Sequence, residues 1–329
     1  MRYPTGVGLL SAAVAAGGFT VPVVAQGGAE DYPAKTVTIV VPFAAGASHD
    51  RMLRPYMQSI FESSGRRFVL AFKPGAGTTI GTASVAQAAP DGYTIVSASP
   101  AFVMTPSVYP SLPYDNVKDF APISLLSEQA WLLVVPTSTP YKNVPEYIAY
   151  ARAHPGELNW SSSGKGSATH LPGEFLHYLT KTKVTFVHYK TGPQRLLDLA
   201  SGRVQVTMAS FANVASQIEA GKVRAIAVTT SKRAPDWPDL QTIEEQGVKG
   251  YDFSSWLGLF APARTPPEVI NKLNAMFVNA YKDPNVRKIR EAGDIFVGAS
   301  PEEFRRRVVS ETGRWRKLVK ESGIEMDAK

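Results

Sequence analysis

The residues best suited to chemistry lie between positions 158 and 179, in LNWSSSGKGSATHLPGEFLHYL. Ser161, Ser162, Ser163 and Ser167 carry hydroxyls, Gly164 and Gly166 let a backbone come close to a guest, and an amphipathic run follows. A helix start exposes unpaired N–H groups bearing roughly half a positive charge, which suits an anion. The competing reading is an ordinary turn followed by an N-cap. A second stretch of the same kind, PFAAGASHD at 42–50, tips the balance toward binding. Two such loops facing one cleft would trap a small carboxylate.

Other chemistry is poorly supplied. No G-x-S-x-G, H-E-x-x-H or phosphate loop ending in Gly-Lys-Ser/Thr occurs. GAGTTIG at 75–81 imitates a dinucleotide fingerprint, but its third glycine falls one place late, so no cofactor is expected. His170 and His177 stand two helical turns apart without an obvious acidic third ligand, so no metal is expected either. Each histidine is expected at a cap or on the surface. Asp50, at a helix start, reads as a cap rather than a general base. Lys190 is balanced between a solvated strand end and a functional role.

The elements that must position these loops follow a β-α-β rhythm. KTVTIVVPF reads as a buried strand, HDRMLRPYMQSIFESSG as a helix delayed or kinked by Pro55, and RFVLAF and YTIVSAS as further strands. A second unit repeats the pattern: strand LNWSSS, a helix from about Thr169, strand VTFVHY, helix GPQRLLDLASG, strand VQVTMAS, helix ANVASQIEAG and strand RAIAVTT. Between the units, FAPISLLSEQAWLLVVP and SSWLGLFAPA read as crossovers, and two polar-faced helices close the chain. The fold class is therefore α/β: two Rossmann-like units joined by two crossover segments, with a cleft between them. Lobe 1 is assigned to 26–127 with 250–329, and lobe 2 to 128–249. Ligands in such sheets sit beyond the carboxyl ends of the strands, where both loops lie.

Residues 1–25 read as a secretory signal peptide, with Arg2 before a small-residue apolar run that Gly17, Gly18 and Pro22 make too broken for a membrane span. The 329-residue chain has no cysteine, which excludes disulfides and thiolate metal sites and suits a periplasmic protein. Its formal net charge of +7 is scattered apart from Arg305–Arg307 and GRWRKLVK. Without an aromatic platform beside them these basic residues form a solvated helix face, so nucleic acid is not expected, whereas an acidic ligand is favoured.

The stretches YPAKTVTIVVPFAAGASHD, KPGAGTTIGTASVAQAAPDGYTIV, SLPYDNVKDFAPIS, WSSSGKGSATHLPGE, RAIAVTTSKRAPDWPDLQTIEEQG and SWLGLFAPARTPPEVINKLN resemble the tripartite tricarboxylate transporter substrate-binding proteins, the Bug-type solute receptors. The resemblance spans essentially the whole mature chain. It implies a two-lobed (type II-like) periplasmic binding protein, a monomer that closes on a small organic acid and delivers it to membrane permease subunits. It also implies a site built from Phe43, Ala44, Gly46, Ala47, Ser48, Asp50 and Ser99 in the first lobe. In the second lobe it implies Ser163, Gly164, Gly166, Ser167 and Thr169, with Tyr189, Ala209 and Ser210 completing the wall.

Several positions depart from the family pattern. Ala45 replaces a proline, Ala47 a glycine and His49 a frequent threonine, and the added methyl at Ala47 is expected to restrict positive φ. Ala209 stands where an acidic side chain is frequent, which argues against an amino-acid ligand. Lys165 and His49 are the candidates for contacting a second acidic group. The expected ligand is thus a dicarboxylate or an aromatic acid without an ammonium. The alternatives are a receptor for a membrane sensor kinase and an enzyme on the same scaffold, and the chain lacks the activated nucleophile the latter needs.

Overall fold

The computed structural model describes residues 31–109, 111–288 and 294–323. The expected signal peptide lies outside them. Its elements in chain order are β1 (Val37–Val41), α1 (Ser48–Ser64), β2 (Phe68–Phe72), α2 (Thr79–Ala86), β3 (Thr94–Ala98), α3 (Ala101–Val108), β4 (Phe120–Ala130) and β5 (Leu132–Pro136). There follow α4 (Val144–Ala153), β6 (Asn159–Ser162), α5 (Leu171–Thr180), β7 (Thr185–His188), α6 (Gly192–Ala200), β8 (Thr207–Ala209), α7 (Phe211–Glu219) and β9 (Val223–Val228). The chain closes with β10 (Ser254–Pro262), α8 (Pro267–Ala280), α9 (Pro284–Arg287), β11 (Asp294–Phe296) and α10 (Pro301–Ser322). Among the described residues no helix is long and apolar enough to cross a membrane.

The first sheet has the order β11-β4-β10-β3-β1-β2. Strands β2, β1 and β3 are parallel, and β10, β4 and β11 join antiparallel to their neighbours. In the second half, β6 pairs β7 in parallel, a parallel bridge links Trp160 to Val206 just before β8, and β5 is antiparallel to both β8 and β9. The two halves share one plan, three parallel strands followed by an antiparallel fourth. Alternation explains the layering. Val37, Ile39 and Val41 pack into one cluster against α1 and α8, while Val40 joins a larger cluster on the other face. Likewise Leu133 and Val135 enter that larger cluster, and Leu132 and Val134 a third one under α6 and α7.

The two expected crossovers are mostly strands of the first sheet. β4 and β10 pair along their length from Ser254 opposite Ala130 to Pro262 opposite Phe120. Both are buried on both faces, so an apolar run that resembles a connector is a central strand. The crossing itself shrinks to Trp131 and the entry into β10. There Thr229 N–H donates to the Trp131 carbonyl at 2.9 Å, Phe253 N–H donates to the Thr229 carbonyl at 2.9 Å, and the Trp131 and Phe253 rings meet edge to face at 5.6 Å.

Pro55 neither delays nor breaks α1, which runs continuously from Ser48 to Ser64. The buried face of Leu53, Tyr56 and Ile60 offsets the hydrogen bond that proline cannot make. Helix α5 begins at Leu171 rather than Thr169, because Thr169 and His170 belong to the preceding turn. Its Gly173 is required by close approach: a Cβ there would lie 2.6 Å from the fully buried Trp160 ring.

Candidate functional site

A cavity of about 310 Å³ opens where β1 and β3 end. It is lined by Phe43, Ala47, Ser48, His49 and Ser99, five of the residues the sequence singles out. Met52, Ser127, Gln129, Ser255, Trp256, Leu257 and Asp294 complete it. Helix α1 starts at Ser48 with Ala47 as an N-cap that makes no side-chain capping bond, and α3 starts two residues after Ser99. Two helix N-termini therefore converge on the cavity. Ala44 and Gly46 are exposed on the loop, and neither lines it.

The loop is set by Gly46 and Asp50. Gly46 takes a left-handed φ of 80°, and its N–H donates to the Asp50 carboxylate at 2.7 Å. Ala47 has φ −67° and ψ 170°, so the methyl expected to restrict positive φ sits on extended backbone and restricts nothing. The Gly46 N–H and Arg54, at 2.6 Å, hold the Asp50 carboxyl below the usual carboxylate range. Asp50 is therefore not the expected cap, a position Ala47 holds, but a first-turn acceptor that closes the loop back on the helix.

His49 is buried, with Nδ1 3.1 Å from Ser97 Oγ and its ring 4.6 Å from that of Phe43. Burial pushes its pKa down to about 3, so it is neutral at ordinary pH. It can offer a second acidic group a hydrogen bond but no positive charge. His177 is likewise buried and pushed down to about 3, so these two histidines are interior rather than at a cap or on the surface, whereas His170 stands at the expected kind of position, the N-cap of α5, though buried. The reason is that each ring finds partners: Ser97 for His49, Gly166 for His170, and Tyr147 and Thr182 for His177.

The second loop is built around Thr169. Its Oγ1 accepts the Ser163 N–H at 2.7 Å and lies 2.9 Å from Ser163 Oγ and 3.0 Å from Ser167 Oγ. Its carbonyl accepts Trp160 Nε1–H at 2.9 Å. Gly164 and Gly166, at φ 123° and 74°, allow the chain to wrap this hub, and Gly166 N–H donates to His170 Nδ1 at 3.1 Å. Thr169 is therefore buried scaffold, while Ser163 and Lys165 are exposed. Replacing Thr169 with valine leaves the Ser163 N–H without its acceptor. We expect a loss of about 0.5–1.5 kcal/mol in urea unfolding.

The remaining wall residues are more interior than expected. Tyr189 donates its hydroxyl to Asp198 at 2.9 Å and its N–H to the Ser162 carbonyl at 2.8 Å. Ala209 is 1 % exposed, in the apolar cluster with Leu132, Val134 and Val214, and Ser210 is the buried N-cap of α7. Ser162 Oγ lies 2.5 Å from His188 Nδ1, the nearest approach to a nucleophile–base pair. Ser162 is fully buried and also accepts the Gly164 N–H at 3.3 Å, so the pair braces the loop.

The cavity contains none of the second-loop residues; the structure gathers Phe43, Ala47, Ser48, His49 and Ser99 of the first set, leaves Ala44, Gly46 and Asp50 outside it, and arranges the second set as a separate loop at the equivalent strand ends. Ser127, Gln129, Ser255 and Trp256 escaped the sequence reading because they lie on strands taken for connectors. The polar Ser127-Glu128-Gln129 interruption of an apolar run was their signal. Nothing in the local sequence marks Asp294, which β11 brings beside Gln129. Among the described residues no grouping of three or more His, Asp or Glu side chains is placed to hold a metal.

Residues 52–324 match the family model described as the tripartite tricarboxylate transporter family receptor. The solved periplasmic binding protein BugD is 33 % identical, with a TM-score of 0.72 over 89 % of this chain and 99 % of its own. R. palustris Rpa4515, solved with adipate, is 36 % identical, with a TM-score of 0.74 over 89 % of this chain and 99 % of its own. MatC from Rhodopseudomonas palustris, solved with bound malate, is 31 % identical, with a TM-score of 0.72 over 88 % of this chain and 100 % of its own.

Proposed function

The chain belongs to the tripartite tricarboxylate transporter receptor family, and from that premise we propose that it is an exported, non-catalytic receptor for a small carboxylate. The observation that carries this reading is the cavity of about 310 Å³ at the α1 and α3 helix starts, a volume suited to a small organic acid. Adipate and malate on similar proteins support the same ligand class. In this reading lobe 1 comprises 26–127 and 250–329, lobe 2 comprises 128–249, and the ligand is a dicarboxylate or aromatic acid without an ammonium. Each lobe supplies part of the hydrogen bonding, so the ligand favours the closed state, which the monomer presents to permease subunits.

Titration calorimetry against adipate, malate, benzoate and L-glutamate tests the ligand class. The expected result is saturable binding of at least one acid lacking an ammonium and none of glutamate. Binding of glutamate alone would overturn it. One observation favours a zwitterionic ligand instead: Asp294, buried and lining the cavity, puts a carboxylate on the wall although Ala209 does not. Under that second reading Asp294→Asn abolishes glutamate binding; under the first it leaves adipate and malate binding intact or tighter, because a carboxylate has been removed from the wall. A ligand-dependent pull-down from membranes distinguishes a permease from a sensor kinase as the partner.

A further inference from the structure

Arg195 occupies the first turn of α6 and is 4 % exposed. Its Nη1 donates to Thr207 Oγ1 at 2.5 Å and to the Met208 carbonyl at 3.4 Å, while its Nε has no hydrogen-bond partner. Among the described residues it makes no ion pair. Asp198, one turn further along α6, is already engaged by Tyr189, Gln194 and Arg203. Neither β6 nor β8, the strands beside it, contains an acidic residue. A guanidinium keeps its charge, and burying it without a counter-charge is among the costlier arrangements a fold can tolerate.

The surroundings show where the missing counter-charge belongs. Thr207 Oγ1, which accepts from Arg195, donates in turn to the Ser161 carbonyl at 2.8 Å. The Ser161 hydroxyl is fully buried and itself has no partner. Two unsatisfied polar groups thus flank one hydrogen-bonded chain that joins β6 to the first residue of β8, within two residues of both strands' carboxyl ends. Those ends lead directly into the Ser163–Thr169 loop and into Ser210, where ligands of parallel sheets are held.

We propose that Arg195 is a specificity-determining residue of the second lobe: a buried counter-charge, set behind the wall, for the anionic group seated on the loops at the ends of β6 and β8. It acts through the low-dielectric interior rather than by direct contact, favouring an anion at that wall and disfavouring an ammonium. The inference rests on the carboxylate-binding reading above and adds to it the group that sets the charge preference. A unit charge about 8 Å away at an effective dielectric of about 20 changes affinity on the order of thirtyfold.

The test compares wild-type protein, Arg195→Met and Arg195→Lys by calorimetry with adipate, malate and L-glutamate, alongside urea unfolding. Arg195→Met is expected to weaken binding of the preferred diacid on the order of thirtyfold, to narrow its margin over glutamate, and to leave stability equal or higher. Arg195→Lys keeps the charge and is expected to retain affinity within about threefold. A merely structural arginine predicts the reverse, with lowered stability and unchanged affinity. If wild type binds the acid and Arg195→Met binds it equally well, this inference alone fails. If Arg195→Met does not fold, the residue is structural and the inference is likewise overturned. If wild type binds none of the acids, the carboxylate reading falls and takes the inference with it.

Discussion

Lowering the pH from 7 to 4.5 is expected to remove several kcal/mol of folding stability. His49 and His177 are buried, and desolvation pushes both down to about 3. In the unfolded chain each takes up a proton at its ordinary value of 6.5. Between those values the unfolded state binds more protons, so stability rises with pH and is lost as pH falls below 6.5. Each pH unit in that window costs at most about 1.4 kcal/mol per histidine, so the pair removes up to about 5 kcal/mol by pH 4.5. That is comparable with the whole stability of many domains.

Carboxylates held below their usual range, such as Asp50 and Asp115, add their own loss only as pH falls below 3.8. Glu245 and Glu303, also held below their ordinary 4.5, begin to contribute near that pH, so urea midpoints measured between about pH 5.5 and 7 report on the histidines. His177→Gln keeps hydrogen-bonding capacity toward Tyr147 and Thr182, whose oxygens lie 3.2 and 2.7 Å from the ring nitrogens, but cannot titrate. Its stability profile should be about half as steep. A profile parallel to wild type would mean that His177 titrates alike in both states.

Trp315→Ala is expected to be severely damaging, at about 3–5 kcal/mol. The indole is fully buried on α10, 5.9 Å from the Phe175 ring of α5 and 6.4 Å from the Phe253 ring at the crossing. It ties the last helix to the element that begins at the second loop, so its loss should also reduce ligand affinity. Trp315→Phe should cost far less, because Trp315 Nε1 has no partner among the described residues and phenylalanine removes that unsatisfied group. Val309→Ala, on the exposed side of α10, is the control and should stay within about 0.5 kcal/mol. Urea unfolding of the three variants checks the order, and a loss under about 1.5 kcal/mol for Trp315→Ala would refute it.

The repeated strand–helix rhythm was legible because β1 alternates its buried residues and α1 buries Leu53, Tyr56 and Ile60 along one face. Helix α4 was passed over although Asn143, which accepts the Glu146 N–H at 2.9 Å, marks its start. Helix α3 was missed too; its apolar AFVMTPSV shows little periodicity and carries Pro106. The Gly/Ser-rich loops were legible because glycine conformations and helix starts are local properties. Ser127, Gln129, Trp256 and Asp294 were not, since they reach the cavity through pairing of β4, β10 and β11, far apart in the chain.

By itself the order of residues determined the class, two α/β units with a hydroxyl- and amide-rich loop at the end of a strand in each. Periodicity, capping and backbone freedom act over a few neighbouring residues, so they can be read along the chain. Only tertiary structure decided which groups carry charge and which merely brace: His49 is neutral because it is buried, Thr169 is committed because its hydroxyl is already shared, and Arg195 lacks a counter-charge because of what packs around it. Solvation and partner availability are properties of the assembled interior, which a residue's type and position along the chain do not contain.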